Sequence, residues 1–149
     1  MQKAFSDACD KIVPFVVKNR CWNQVDLHHL CYYDVRKSVP VLGSQMLCNA
    51  IKKVCSSYKA LKIKKPQNVP TIFFKESTSV HYDKRTYSIK DNRLSIFTLQ
   101  GRIKCEYSIG EFQKKYLEIG SFKEAELIRK GKSWFFNQEN IMLLMNEPK

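Results

Sequence analysis

The 149-residue sequence is poor in glycine, with only five in the whole chain. A phosphate-binding loop or a dinucleotide-binding fingerprint needs several glycines at fixed spacing, because the backbone must approach the phosphates closely. No such run is present, and there is no nucleophile elbow. The sequence gives no argument for catalysis, so we expect no cofactor, no catalytic residue and no enzymatic activity.

Long apolar runs and paired cysteine motifs are missing as well. The longest apolar-rich run near the N-terminus, residues 12–17, contains Pro14 and is too short for a membrane span or a signal peptide. The six cysteines form no C-x-x-C motif, and the neighbours His28 and His29 have no ligand at a useful offset. We therefore expect reduced, buried or half-buried thiols, one packed and one exposed histidine, no metal and a cytoplasmic protein without membrane contact.

Positive charge is in excess, at a net +12 from 26 basic and 14 acidic residues. Between Asp34 and Glu76 there are 41 residues without a carboxylate, and nine of them are Lys or Arg. Solvated surfaces usually mix both signs of charge, whereas a polyanion is held by cations that displace its counterions. The pattern favours a nucleic-acid partner over a lysine-rich face that is merely solvated.

The first 61 residues have the apolar periodicity of helices. Pro14 lies inside the first helical pattern and is expected to kink or split it, because proline removes a backbone donor and clashes with the preceding turn. Asn23 is expected to cap a second helix. The apolar face predicted for this second helix consists of Leu27, Leu30, Cys31 and Val35.

A third helix is expected to begin with Ser44 as its cap and to end at about Leu61. One face of it carries an unbroken i, i+4 stripe that predicts burial, formed by Met46, Ala50, Val54 and Tyr58. The lysines of this helix lie on another face, which is the candidate binding surface.

The composition changes after a basic, proline-bearing connector at residues 62–70. Short β-branched and aromatic runs follow, separated by turn formers, and one short helix is expected at 111–117. The predicted strands are TIFFK, VHY, RTYSIK, RLSIFTL, RIKCEYSI, AELIRK and SWFFNQ. These features predict an α+β protein: a helical lobe at 1–66, a small antiparallel OB-like β-barrel at 67–145, and a tail at 146–149.

Cations and aromatic side chains alternate along the predicted strands, for example at Lys132 and Trp134. Because alternate residues of a strand point to one side, Arg102 and Lys104 share a face with Glu106. Cations in such a row suit a phosphate backbone, and exposed aromatic rings suit unpaired bases.

Two stretches of sequence carry a family resemblance. The first comprises Asn23 followed by LHHL, then Tyr33-x-x-Arg36, then LGSQMLCNAIKKVCSSYK at 42–59; the second is NRLSIFTLQGRIKCEYSIGEFQKKYLEIGSFKEAELIRKGKSWFF at 92–136. In this order they resemble the helical recognition lobe and the wedge domain of TnpB, the OrfB-type protein of insertion sequences and presumed ancestor of type V CRISPR nucleases. The resemblance extends from about residue 5 to 145.

The resemblance implies binding rather than cleavage. TnpB proteins open with a wedge strand and continue into a RuvC nuclease domain with a catalytic Asp and a zinc ribbon, whereas this sequence begins at the helix and runs IMLLMNEPK after the last predicted hairpin. In the family, the recognition and wedge domains hold the guide RNA scaffold and the guide–target duplex, and help to read a short DNA motif. The implied partners are a structured guide RNA, target DNA and, in a split effector, a separate RuvC-containing nuclease subunit.

The resemblance also implies a set of contact residues. Gln45 corresponds in position to a glutamine-bearing site near the DNA motif, and glutamine can bind adenine with two hydrogen bonds. The lysines of the third helix and the connector, with two cations of the barrel, would hold phosphates. The full predicted set is Gln45, Asn49, Lys52, Lys53, Lys59, Lys62, Lys64, Lys65, Arg102 and Lys104.

Two alternatives stay open from the sequence. The first alternative is an RNA-free DNA-binding protein that uses its helices as a repressor does. The second is a non-functional remnant of a transposon gene.

Overall fold

The computed structural model describes residues 1–119, 123–139 and 141–146. The chain divides into two compact units, Met1–Thr78 and Ser79–Lys149. The first unit is helical, and the second is built on an antiparallel sheet with one short helix. The α+β fold class predicted from the sequence is therefore confirmed.

Three mutually packed helices form the first unit. Each helix turns its apolar face to a shared core in which Phe5, Leu27 and Val54 have no exposed surface. No helix in the described ranges is long and apolar enough to span a lipid bilayer. The bounds of the helices are α1 Gln2–Asn19, α2 Gln24–Ser38 and α3 Ser44–Ala60.

Pro14 does not split α1, which runs unbroken from Gln2 to Asn19, so of the two predicted effects of this proline the split is wrong. Pro14 lies on the exposed side of the helix, where water can satisfy the carbonyl that loses its intrahelical donor. Buried Ile12, Val13 and Val16 lie on both sides of it in sequence. Their packing keeps the helix continuous through the proline.

The predicted cap of α2 is confirmed, whereas that of α3 is wrong. The Asn23 side chain accepts hydrogen bonds from the backbone N–H groups of Val25 at 3.0 Å and Asp26 at 3.2 Å. Ser44 instead is the first helical residue of α3, and its neighbour Gly43 occupies the cap without a side-chain hydrogen bond. Gly43 already supplies the extended residue that precedes a helix, which leaves Ser44 no capping role.

The buried faces follow the sequence pattern with one exception. All four residues of the α3 stripe have no exposed surface. Leu27, Cys31 and Val35 of α2 are buried too, but Leu30 is 42% exposed, so its assignment to this face is wrong. Only an i, i+4 ridge of α2 is buried, and Leu30 lies about 100° round the helix from Cys31.

Residues 71–75 do not form the predicted TIFFK strand. The segment is tied to the helical unit, because the Tyr58 hydroxyl donates to the Pro70 carbonyl at 2.7 Å and the Phe74 N–H donates to the Asp10 carboxylate at 2.8 Å. Residues 67–78, which the composition assigned to the barrel half, belong to the first compact unit, which ends at Thr78.

In the described residues of the second unit, seven strands form one antiparallel sheet. The bounds are β1 Val80–Tyr82, β2 Tyr87–Lys90, β3 Arg93–Thr98, β4 Gly101–Ser108, β5 Ala125–Lys130, β6 Ser133–Gln138 and β7 Ile141–Met145, with helix α4 Glu111–Ile119 after β4. The strand order is β1-β5-β6-β7-β4-β3-β2. The two edge strands, β1 and β2, are thus neighbours in sequence.

The sheet curls into a half-barrel around one aromatic ring. Tyr82 on edge strand β1 and Tyr87 on edge strand β2 both pack on Phe136 of β6, with ring centroids 5.7 and 4.8 Å apart. The Tyr82 hydroxyl also donates to the Phe97 carbonyl of β3 at 2.8 Å. The sheet has to bend because residues from both of its edges reach the same ring.

Strand β7 was not predicted from the sequence. It pairs with β6 along its whole length and with Tyr107 and Ser108 of β4. Its Leu and Met residues favour helices and show no polar alternation, so pairing with two neighbours decides its conformation. In the predicted tail, Asn146 donates from its backbone N–H to the Glu106 carbonyl at 3.0 Å, and residues 147–149 lie outside the described part of the chain.

Candidate nucleic-acid interface

The C-terminal ends of α1 and α3 lie together in the helical unit. Trp22, just after α1, stacks on Tyr58 in the last turn of α3, with ring centroids 6.3 Å apart and an angle of 18° between the planes. The connector at residues 62–70 leaves α3 at the same end. Three segments of chain therefore bring their side chains to one end of the helical unit.

The connector is held in place by a set of hydrogen bonds. The Arg20 guanidinium donates to the Gln67 carbonyl at 2.7 Å. The Gln67 side chain accepts from the Lys64 N–H at 3.0 Å, and the Gln67 N–H donates to the Lys64 carbonyl at 2.8 Å. The lysines of the connector are thus carried on an ordered turn that is anchored to the end of α1.

Six exposed cations meet at this end of the helical unit, which we call the basic end. Across the described ranges none of them forms an ion pair with a carboxylate. The first turn of α2, which follows the end of α1, adds one exposed acid, Asp26. The helical unit as a whole has thirteen basic and five acidic residues. The basic end consists of Lys18, Arg20, Lys59, Lys62, Lys64 and Lys65.

Sequence reasoning found four of these six cations and missed Lys18 and Arg20. Both residues come at the end of α1, far in sequence from the carboxylate-free stretch. Arg20 ends the helix in the left-handed conformation, with φ 47°, where glycine is the usual residue. The short connection from α1 to α2 could have indicated their position. It makes these two helices antiparallel, and therefore brings the C-terminal end of α1 beside that of α3.

Lys52 and Lys53 lie further back on α3 and are only half exposed. Both make further polar or electrostatic interactions within the protein. Burial raises the pKa of the Cys9 thiol on α1, and the positive charge of Lys53 opposes this rise. These two lysines are flanking residues rather than members of the basic end.

Asn49 was predicted as a contact, and its burial argues against that role. Only 3% of the residue is exposed, and its side-chain N–H group points to the Met46 sulfur at 3.8 Å. It lies on the packed side of α3, between residues of the buried stripe.

Gln45 is half exposed in the first turn of α3, about 21 Å along the helix axis from Lys59. The structure therefore does not bring Gln45 and the basic end together.

Arg102 and Lys104 lie exposed on one face of β4, as predicted, while Cys105 on the opposite face is buried. The Arg102 guanidinium donates to the Arg85 carbonyl at 2.8 Å and to the Ser95 hydroxyl at 3.3 Å. Glu106 stands on the same face opposite Arg93 of β3. This face mixes both signs of charge, and one of its two predicted cations is engaged by the fold.

A cleft of about 570 Å³ lies between the β2–β3 turn and α4. Its charged lining is balanced, with Lys90 and Lys114 against Asp91 and Glu118. Lys114 also pairs with Glu111 on its own helix. The balance makes this cleft less suited to a polyanion than the basic end.

The described residues hold no group of three or more His, Cys, Asp or Glu side chains that could bind a metal ion. All six cysteines are free, and burial raises the pKa of Cys31 to about 12 and that of Cys55 to about 11, which disfavours the reactive thiolate. His28 stacks on Tyr32 at 4.6 Å while His29 is exposed, as the sequence suggested.

The sequence matches no protein-family model, and the search of curated proteins gives no significant match. The likeness to TnpB therefore stays a prediction from the ordered motifs.

Proposed function

We propose that the protein binds structured RNA through the phosphates held by its basic end. The observation that carries the proposal is the convergence of six exposed cations from α1, α3 and the connector, anchored by the Arg20–Gln67 hydrogen bond. Each phosphate that a lysine or arginine neutralises releases condensed counterions, which makes such binding favourable and dependent on salt. Structured RNA presents phosphates close together, and an ordered cluster of cations matches that density.

The motif resemblance extends the proposal to a biological role. In that role the protein is the non-catalytic, RNA-binding part of a TnpB-like system, with target DNA and a separate RuvC-containing subunit as further partners. It would work in the cytoplasm, where its six thiols stay reduced. Cleavage of nucleic acid would belong to the other subunit.

The test replaces the cations of the basic end without changing the fold. The variant combines Lys59→Gln, Lys62→Gln, Lys64→Gln and Lys65→Gln, all at exposed positions. Its affinity for a fluorescein-labelled RNA stem–loop with a single-stranded tail is measured by anisotropy over a series of salt concentrations. If all four lysines contact phosphates, the slope of log affinity against log salt should fall by about 3 to 4.

A matched variant separates position from total charge. Lys11, Lys37, Lys75 and Lys84 are also exposed, and changing them to Gln removes the same charge outside the basic end. This control should keep most of the wild-type slope. Equal losses in both variants would show only a general attraction to positive charge, and no loss in either would reject the proposal.

A DNA duplex of the same sequence serves as the second ligand. Preference for the RNA supports the proposal. Tighter binding to the duplex, with the same dependence on the basic end, would favour the alternative of a DNA-binding protein that works without RNA.

A further inference from the structure

A second group of cations lies at the turn between β5 and β6, which we call the hairpin tip and define as residues 129–132. Gly131 begins the two-residue turn with φ 61°, a conformation that glycine adopts without strain. Arg129 is paired across the strands with Trp134, and Lys130 with Ser133. The tip is therefore an ordered part of the sheet, and it exposes Arg129, Lys130 and Lys132 to solvent.

Two of the three cations of the hairpin tip, Arg129 and Lys130, lie over aromatic rings. The Arg129 guanidinium carbon lies 5.5 Å from the Trp134 ring centroid, and the Lys130 ammonium lies 5.6 Å from that of Phe135. Both distances are within the range of attraction between a cation and a ring. In the described part of the chain, neither cation nor Lys132 pairs with an acid.

The guanidinium of Arg129 is also oriented by its own turn. Its Nε–H donates to the Gly131 carbonyl at 3.2 Å, and no acceptor for its two Nη groups is found among the described residues. A guanidinium fixed at Nε and supported by a ring loses little freedom when it binds. Two free Nη groups in one plane match two oxygens of a phosphate.

We propose that the hairpin tip is a second phosphate-binding site for the same RNA. Arg129 holds one phosphate with its Nη groups, while Lys130 and Lys132 hold neighbouring phosphates. This proposal rests on the proposed function, since it assigns a second contact to the RNA that the basic end binds. It also predicts that the affinity for RNA depends on the planar, forked shape of the Arg129 guanidinium and not only on its charge.

Three variants of the full chain test the proposal with the same labelled RNA stem–loop. Lys130→Gln with Lys132→Gln should lower the salt slope by about 1.4 to 1.8. Lys84→Gln with Lys90→Gln removes two exposed charges from the same unit and should leave the slope nearly unchanged. Arg129→Lys keeps the charge but loses the fork, so it should weaken binding about threefold to tenfold, the value of one hydrogen bond, at constant slope.

The two tryptophans of the chain report separately on the two sites. Trp22→Phe leaves Trp134 beneath the hairpin tip, and Trp134→Phe leaves Trp22 beside the basic end. RNA should change the fluorescence of Trp134 in the first variant. A response of Trp22 with a silent Trp134 would overturn the hairpin proposal while keeping the proposed function, and silence of both, without binding, would overturn both.

The tip variants also distinguish an RNA ligand from a lipid ligand. Unchanged RNA affinity in both tip variants would reject the site. Loss of binding to phosphatidylserine vesicles with unchanged RNA affinity would assign the tip to a membrane surface and overturn the proposal. Circular dichroism melting curves that match the wild type are required of every variant before its affinity is interpreted.

Discussion

Val54→Asp should unfold the helical unit at neutral pH. Val54 has no exposed surface and lies in the middle of the buried stripe of α3. The substitution loses the burial of the valine side chain, which is worth about 1.5–3 kcal/mol. It also places a carboxyl group where no water can reach it.

The carboxyl group avoids a buried charge by taking up a proton, and the free energy of that step can be worked out. With an unfolded pKa of about 3.9, keeping Asp neutral at pH 7 costs about 4 kcal/mol. The total is about 6–7 kcal/mol, against an expected stability of about 4–12 kcal/mol for the 78 residues of Met1–Thr78. The variant should therefore be unfolded at pH 7 if the wild-type stability is below about 6 kcal/mol, and should keep less than half of its stability if the wild-type value is near the upper end of that range.

The pH dependence gives the sharper test. The folded pKa of this Asp is raised above its unfolded value, so the stability of the variant is greatest below about pH 3.9 and falls as the pH rises. Between pH 5 and pH 7 the loss relative to the wild type should grow by about 2.7 kcal/mol. Urea denaturation followed by far-ultraviolet circular dichroism at the two pH values measures this difference.

Two controls separate the charge from the shape. Val54→Asn has a similar shape without a titrating group, so its loss should be the same at both pH values. Ser56→Asp adds the same charge at an exposed position of α3 and should change the stability by less than about 0.5 kcal/mol. An unchanged denaturation midpoint for Val54→Asp, or equal pH dependence for the Asp and Asn variants, would refute the assignment of Val54 to the core.

Three further predictions test single interactions. Asn23→Ala removes both hydrogen bonds that cap α2 and should cost about 1 kcal/mol in urea denaturation, whereas full wild-type stability would mean that water caps the helix equally well. Asp10→Ala removes the acceptor of the Phe74 N–H and should speed hydrogen exchange at that amide, while Asp7→Ala, which removes only an exposed partner of Lys3, should not. Burial, aided by Asp83, raises the pKa of Tyr87 from 10 to about 12, so the β unit should lose stability as the pH rises from 10 to 12, and Tyr87→Phe should reduce that loss if Tyr87 is its source.

Helix phase was predictable where burial has a clean period. The stripe from Met46 to Tyr58 is an unbroken i, i+4 series, so the sequence alone identifies its face. The predicted burial of Leu30 was wrong because apolar character alone does not show how wide the buried ridge of α2 is. The predicted split of α1 at Pro14 was wrong for a related reason. The free-energy cost of a proline within a helix depends on whether its side of the helix faces water.

The β unit was predictable where turn residues separate alternating strands, as at Asp91 and Asn92 between β2 and β3. It was not predictable at Ile141–Met145, because a run of Leu and Met becomes a strand only through its pairing with β6 and β4. For the TIFFK run the error was the reverse, because a strand was predicted there and none forms. It has strand-forming residues, but its Phe74 N–H is taken by Asp10 of α1, a contact between residues 64 positions apart that no local pattern reveals.

The composition of the basic end determines what kind of selectivity the proposed binding can have. Lysine and arginine contacts to phosphates fix the position of a nucleic acid but carry no direct information about its bases. The two amide side chains of α3 that were predicted as nucleic-acid contacts lie away from this end, with Asn49 buried and Gln45 about 21 Å from Lys59 along the helix. The basic end should therefore distinguish ligands by the spacing of their phosphates. RNA stem–loops of different sequence but equal shape should bind it with nearly equal affinity and equal salt slopes.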